Sequence, residues 1–300
     1  MPVSNKHWAV IIGSTLVIGG VLVWLVLPKL GNAPTEIIVV EQPVVTTTPA
    51  RETRRVIGAS VEGRSIESYR YGTGDTRILF VGGIHGGYEW NSTLLAYRFI
   101  DYIEANPSII PANLTVEIIP SANPDGLFDV IKKEGRFELA DVPADEGPLG
   151  TGRFNANNVD LNRNFACKWQ PTSMWRGNVV SAGTAAFSEP EAAAVRDLVL
   201  EKTPAAVVFW HSQSNAVYAS ECENGILPGT RTLMNTYATA SGYPAVDVFG
   251  AYPVTGDAEG WLASIGIPAV TVELATHKTI EWEKNLAGFV ALMKLYGTQH

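Results

Sequence analysis

Four short apolar runs rich in β-forming residues, separated by segments of helical pattern, constrain this chain more than any other feature. They are Arg77–Gly82 (RILFVG), Leu114–Ile119 (LTVEII), Ala206–Trp210 (AVVFW) and Ala269–Glu273 (AVTVE). Short apolar runs of this kind read as buried strands. Between them, Thr93–Glu104 and Glu189–Leu200 carry the spacing of helices. Alternation of the two predicts an α/β fold, a three-layer α/β/α sandwich around a mixed, largely parallel sheet, over about residues 56–300. At 300 residues and 46% hydrophobic content the chain has ample material for such a core. The chemistry-bearing residues fall where the runs end: His85 after the first, Asn123-Pro124-Asp125-Gly126 after the second, His211 after the third, and Glu273 closing the fourth. Open α/β sheets bind ligands outside the carboxyl ends of their strands, so these residues are expected to converge.

Upstream, Trp8–Leu27 (WAVIIGSTLVIGGVLVWLVL) contains no charge, and a helix of that length crosses a bilayer core at about 1.5 Å per residue. One N-terminal transmembrane helix is expected over 8–27, after a tail of residues 1–7, with Trp8 and Trp24 near the two interfaces. Residues 28–55, mixing prolines with a threonine run, read as a stalk. The expected location is a single-pass membrane protein with the large domain outside the cytoplasm. A cleaved signal peptide is the rival, since Gly31-Asn32-Ala33 offers a small-x-small site, and it would make the protein secreted. The net charge of −8 excludes a nucleic-acid partner, which needs a basic footprint. Cys167 and Cys222 belong to no CxxC pair, and the sequence leaves open whether they form one disulfide or stay as two buried thiols.

A hydrolytic zinc site needs about three nitrogen or oxygen ligands and one open position. In Gly82-Gly83-Ile84-His85-Gly86-Gly87-Tyr88-Glu89 a histidine and a carboxylate sit at a strand-to-helix turn, with glycines permitting a tight path. Of the five histidines, His7 flanks the apolar segment, His300 ends the chain and His277 lies in a polar stretch, which leaves His85 and His211. Taken singly, each also reads as a hydrogen-bonded structural residue.

The ordered set GGIHGGYE, NPDG, RFNANNVDLNRNF, FSEPE, FWHSQS and IPAVTVEL, running from about Val81 to Leu274, resembles the zinc carboxypeptidases of the carboxypeptidase A type. VDLNRNF is its most specific element. The resemblance implies one Zn2+ held by His85, Glu89 and His211, with Glu273 as general base. It further implies that Arg153 polarises the scissile carbonyl, that Asn162 and Arg163 grip the substrate's terminal carboxylate, and that Tyr252 closes over the substrate. The substrate would then be a peptide with a free C-terminal carboxylate. A bidentate guanidinium suits a carboxylate, and a second arginine suits charge developing on a carbonyl oxygen.

With Tyr252 and Gly256 in register, Glu259 falls at the floor of the pocket for the terminal side chain, which implies a preference for Lys, Arg or the amine end of a diamino acid in a cell-wall peptide. A solvated loop acid is the competing reading of Glu259. Three residues separate His85 from Glu89, where the family pattern has two. Two other functions compete: a zinc amidase or deacylase of N-acyl amino acids, and an inactive relative that binds peptide ends. NPDG is expected to be a turn, and Ser188-Glu189-Pro190-Glu191 the Ser-capped start of a helix.

Overall fold

The computed structural model describes residues 53–145 and 147–297. Trp8–Leu27 and nearly all of the 28–55 segment lie outside these residues. No helix among the described residues is long and apolar enough to cross a membrane.

Eight strands form one sheet in the order β1-β2-β4-β3-β7-β10-β8-β9. They are β1 (Arg54–Ala59), β2 (Ser65–Gly72), β3 (Thr76–Val81), β4 (Leu114–Ile119), β7 (Ala206–Ser212), β8 (Ala216–Ala219), β9 (Ala245–Val246) and β10 (Ala269–Leu274). The four strands read from sequence are its centre: β4, β3, β7 and β10 pair in parallel. The strands outside them make the sheet mixed, since β1–β2, β2–β4 and β10–β8 are antiparallel. A separate hairpin of β5 (Thr172–Trp175) and β6 (Asn178–Ser181) stands apart from the sheet.

Helices cover both faces because the central strands are apolar on both. On one face Ile78, Phe80, Val208, Trp210 and Val272 pack against α1 (Trp90–Ala105), α4 (Pro228–Ser241) and α6 (Trp282–Gly297). Phe99 stacks on Trp210 there with ring centres 5.0 Å apart. On the other face Leu79, Val81, Val207 and Phe209 meet α3 (Pro190–Lys202) and α5 (Ala258–Ser264). Side chains alternate along a strand, so Thr271 and Glu273 point away from the face that Val270, Val272 and Leu274 bury.

Three local expectations are corrected. Asn123-Pro124-Asp125-Gly126 is the start of helix α2 (Pro124–Ile131), with Asn123 Oδ1 accepting from Gly126 N at 2.9 Å. Asn followed by Pro serves a helix N-terminus as well as a turn, and the apolar residues beyond continue the helix. For α3 the N-cap is Glu189, without a side-chain cap bond, and Ser188 Oγ donates to Glu189 Oε1 instead. The basic end of the expected stalk is already in the fold: Arg54 and Arg55 open β1, with Arg54 paired to Glu67 and Arg55 to Glu201. The two cysteines form the Cys167–Cys222 disulfide.

Candidate metal centre and substrate pocket

β3, β7 and β10 are adjacent and parallel, so their carboxyl ends open on one cavity of about 550 Å³. His85 follows β3 through a turn, whereas His211 and Glu273 are register partners within β7 and β10. Glu89 arrives from a single 3-10 turn over Gly86–Glu89. That turn absorbs the additional residue between His85 and Glu89. Gly86 makes it possible, because its φ of +47° is left-handed and a Cβ there would lie 2.5 Å from Gly152 O. The result is close convergence: His85 Nδ1 to Glu89 Oε1 2.8 Å, His211 Nδ1 to Glu89 Oε2 3.0 Å, and the two Nδ1 atoms 3.2 Å apart.

Two imidazole nitrogens and a carboxylate, all buried and within 4.8 Å of one another, fit Zn2+ in kind and number. Charge tells the same story. Burial pushes the Glu89 carboxyl up, but the imidazoles of His85 and His211 outweigh it and hold the carboxyl well below the usual range. For His211 burial works against protonation, yet Glu89 and Glu259 hold its imidazolium well above the usual value.

Glu273 shares the cavity. Its Oε2 is shut from solvent with no hydrogen-bond partner among the described residues. Burial first, and then the negative charge of Glu89, push its carboxyl up to about 8, with His211 opposing. A poorly solvated carboxyl facing a cation site is suited to moving a proton.

Arg153 is buried and gives Nε and Nη2 to Asp160 Oδ2 at 3.0 and 2.7 Å, while its Nη1 lies 3.7 Å from Glu89 Oε1. Its guanidinium carbon sits 4.5 Å from the centre of the Trp175 ring. The group is thereby fixed beside the metal ligands. Asn162 and Arg163 line the same cavity. Arg163 Nη1 donates to Asn162 O at 2.6 Å, and its Nε has no hydrogen-bond partner among the described residues. Gly256, with φ +71° and its Cβ position 2.1 Å from Arg163 O, brings the next loop against the 3-10 turn Leu161–Arg163. Glu259 therefore arrives under Asn162. It is buried, contradicting a solvated loop acid, and accepts from Thr271 Oγ1 at 2.9 Å and Asn162 Nδ2 at 3.3 Å. His211 Nε2 lies 3.2 Å from its Oε1. Tyr252 lines the cavity mouth, edge-on to Phe249 at 4.9 Å.

Sequence reasoning passed over two neighbours. His277, set aside as a residue of a polar stretch, lies 2.6 Å through Nδ1 from Ser212 Oγ and packs edge-on against Tyr88 at 4.6 Å. Trp175, at the tip of the β5–β6 hairpin, packs on Tyr88 and Arg153. The only signal for His277 was its place four residues after Glu273.

The family model described as zinc carboxypeptidase matches residues 39–292. Gamma-D-glutamyl-L-diamino acid endopeptidase 1 of Lysinibacillus sphaericus is 27% identical over 240 residues, covering 73% of this chain and 60% of that protein. Mouse carboxypeptidase M is 29% identical over 209 residues, covering 64% of this chain and 40% of that protein. The chain thus spans less than two thirds of the length of either relative. Among solved structures, murein-tripeptide amidase MpaA from Escherichia coli O157 superposes with a TM-score of 0.57 at 21% identity, over 86% of this chain and 97% of that one. Bovine thrombin-activatable fibrinolysis inhibitor gives 0.64 at 21% identity, over 81% and 88%, which at this identity shows a shared fold. With the family model spanning most of the chain and the His-Glu-His set in place, the chain belongs to the zinc carboxypeptidase family.

Proposed function

We propose that this chain releases the C-terminal residue of a peptide, with preference for a residue whose side chain ends in an amine or guanidinium, including the diamino acid of a cell-wall peptide. The single observation that carries the preference is the buried Glu259 carboxylate on the cavity floor beside Asn162 and Arg163. A buried carboxylate facing an apolar side chain gains nothing for its lost hydration, whereas a cationic side chain pairs with it. Burial opposes its charge most strongly, but the hydrogen bond and attraction of His211, the backbone bond and Thr271 together outweigh it and lower the Glu259 carboxyl below its ordinary value. The diamino acid in the name of the Lysinibacillus relative supports the same chemistry.

Zinc, when bound, supplies Lewis acidity and activates water. The remaining roles fall to the chain. Arg163 with Asn162 holds the terminal carboxylate, leaving the preceding amide between Arg153 and Glu273. Glu273 takes the proton of the attacking water and delivers it to the leaving amine. Arg153, locked by Asp160 and Trp175, stabilises charge on the carbonyl oxygen without having to reorganise.

The uncharged Trp8–Leu27 segment supports a membrane anchor with the domain outside the cytoplasm, or secretion if the segment is removed. The Cys167–Cys222 disulfide favours the same oxidising compartment. Digestion of intact cells by added protease tests it: protection of the domain would refute it.

The substrate test compares kcat/KM for peptides ending in Lys, Arg, diaminopimelate, Leu and Phe, with free and amidated termini, in wild type and Arg163→Ala. Basic ends are expected to lead, and Arg163→Ala to cost roughly 10–100-fold on free carboxylates, the worth of a charge-assisted hydrogen bond, with little change on amides. Equal rates for Leu and Lys ends, or equal losses on both kinds of terminus, would remove the reading.

A further inference from the structure

The two histidines of the metal centre share an orientation, but only His211 has hydrogen-bond geometry at Nε2 among the described residues. Each turns Nδ1 inward and Nε2 outward to a buried carboxylate: His85 Nε2 lies 3.3 Å from Asp160 Oδ1, and His211 Nε2 lies 3.2 Å from Glu259 Oε1. An imidazole that gives the Nδ1 lone pair to a metal carries its proton on Nε2, and a carboxylate accepting that proton fixes the ring's rotation and raises its basicity. Glu259 meets this requirement with its own position secured from three sides. Oε1 accepts from Thr271 Oγ1 as well as His211, Oε2 accepts from Asn162 Nδ2, and Asn162 is itself pinned by Ala258 N donating to its Oδ1 at 2.8 Å. A carboxylate offers about four acceptor sites. Three are occupied here, so Glu259 is chiefly bound to the protein and only in part available to a substrate.

We propose that Glu259 is a positioning residue of the metal centre, holding His211 through Nε2, so that one carboxylate ties the metal ligand to the floor of the side-chain pocket. This goes beyond the substrate preference and does not depend on it, because the tie exists whatever side chain enters the pocket. It separates Glu259 from a group that only selects the substrate. Such a group, once neutralised, would change the ranking of C-terminal residues and nothing at the metal.

The test measures the Zn2+ dissociation constant of the metal-free full-length protein by competition with a chelator, for wild type, Glu259→Gln and Glu259→Asp. Loss of a partner of this kind typically weakens metal affinity 10–100-fold. That range is expected for Glu259→Gln, which loses the charge, and for Glu259→Asp, which keeps the charge but withdraws the oxygen from Nε2. In the Co2+-substituted protein both variants should shift the visible absorption bands, a change that loss of packing away from the ligands would not produce. Turnover of a peptide ending in Phe should fall as well, in kcat more than in KM. Zinc affinity within twofold of wild type together with an unchanged cobalt spectrum, in either variant that folds, would overturn the proposal. If zinc affinity falls while Lys-ending and Phe-ending peptides keep their wild-type ratio, the positioning role stands and the substrate preference fails.

Discussion

The cavity has two regions of opposite construction. Its inner end holds His85, Glu89, His211 and Glu259, with Asp160 behind them, none more than 4% exposed, each fixed by a strand end, a short helical turn or a second buried partner. Its mouth is formed by the segment carrying Val248, Phe249 and Tyr252 and by the hairpin carrying Trp175 and Arg176. Val248 there is 56% exposed, and Arg176 Nη1 donates a 3.3 Å hydrogen bond to Tyr88 Oη. The inner groups are held by the sheet and by buried partners at the precision that a metal centre demands, whereas the mouth is built from loops of the kind that tolerate change.

Four measurements break or sharpen that contrast. The largest effect is expected from His211→Ala, which removes an inner ligand that nothing at the mouth replaces; zinc content should fall from one per chain to substoichiometric and hydrolysis to background. Retention of full zinc content would show that the inner end is not built as described. Glu273→Gln should lower kcat by roughly 10²–10⁴-fold, the scale of a lost general base, while leaving zinc at one per chain.

Next in size is a pH effect confined to the inner end. Because Glu89 and Glu259 hold the His211 imidazolium well above the usual range, the metal-free ring carries a proton that zinc must displace. Zinc affinity should therefore rise about tenfold per pH unit for each proton released, until the pH passes the raised value. Stability of the metal-free protein should run the other way. A raised imidazole contributes stability that is complete below its unfolded value and is lost as pH rises through the folded one. Chelator competition and thermal melts between pH 5 and 9 would show both trends, and a flat affinity profile would contradict them. The smallest effect is expected at the mouth, where Tyr252→Phe keeps the ring against Phe249 and removes only the hydroxyl. Its kcat/KM should change by less than about tenfold, the worth of one hydrogen bond, and a loss as large as that of Glu273→Gln would erase the distinction between the regions.

The same division decided what was legible in the sequence. The central strands announced themselves because they are apolar on both faces, and the ligand candidates through the family resemblance, two of them near strand ends; β4 was bounded to the residue. The outer strands β1 and β2 were not, since RRVIGA and SIESYRYG mix charged with apolar residues and gain their strand state from pairing. The disulfide stayed open because 55 residues separate its cysteines and nothing local reports their meeting. The resemblance, in register through Tyr252 and Gly256, placed Glu259 near the pocket, but its bond to His211 crosses 48 positions and needs α5 and β7 to be docked first. His277 was discounted for its polar neighbours, while Asn91, from α1, takes the carbonyls of Thr276 and Thr279 and folds that stretch back towards the site.

Glu273 and His211 occupy the same rung of the β7–β10 ladder. A one-residue slip between these strands would turn Glu273 onto the opposite face, among the side chains packed on α4 and α6, and would leave Val272 or Leu274 facing the ligands. The ladder acts as a gauge: a chain paired one residue out would not bring the Glu273 carboxyl opposite His211. Assembly of the cavity's titratable groups is thus tied to correct alignment of the sheet.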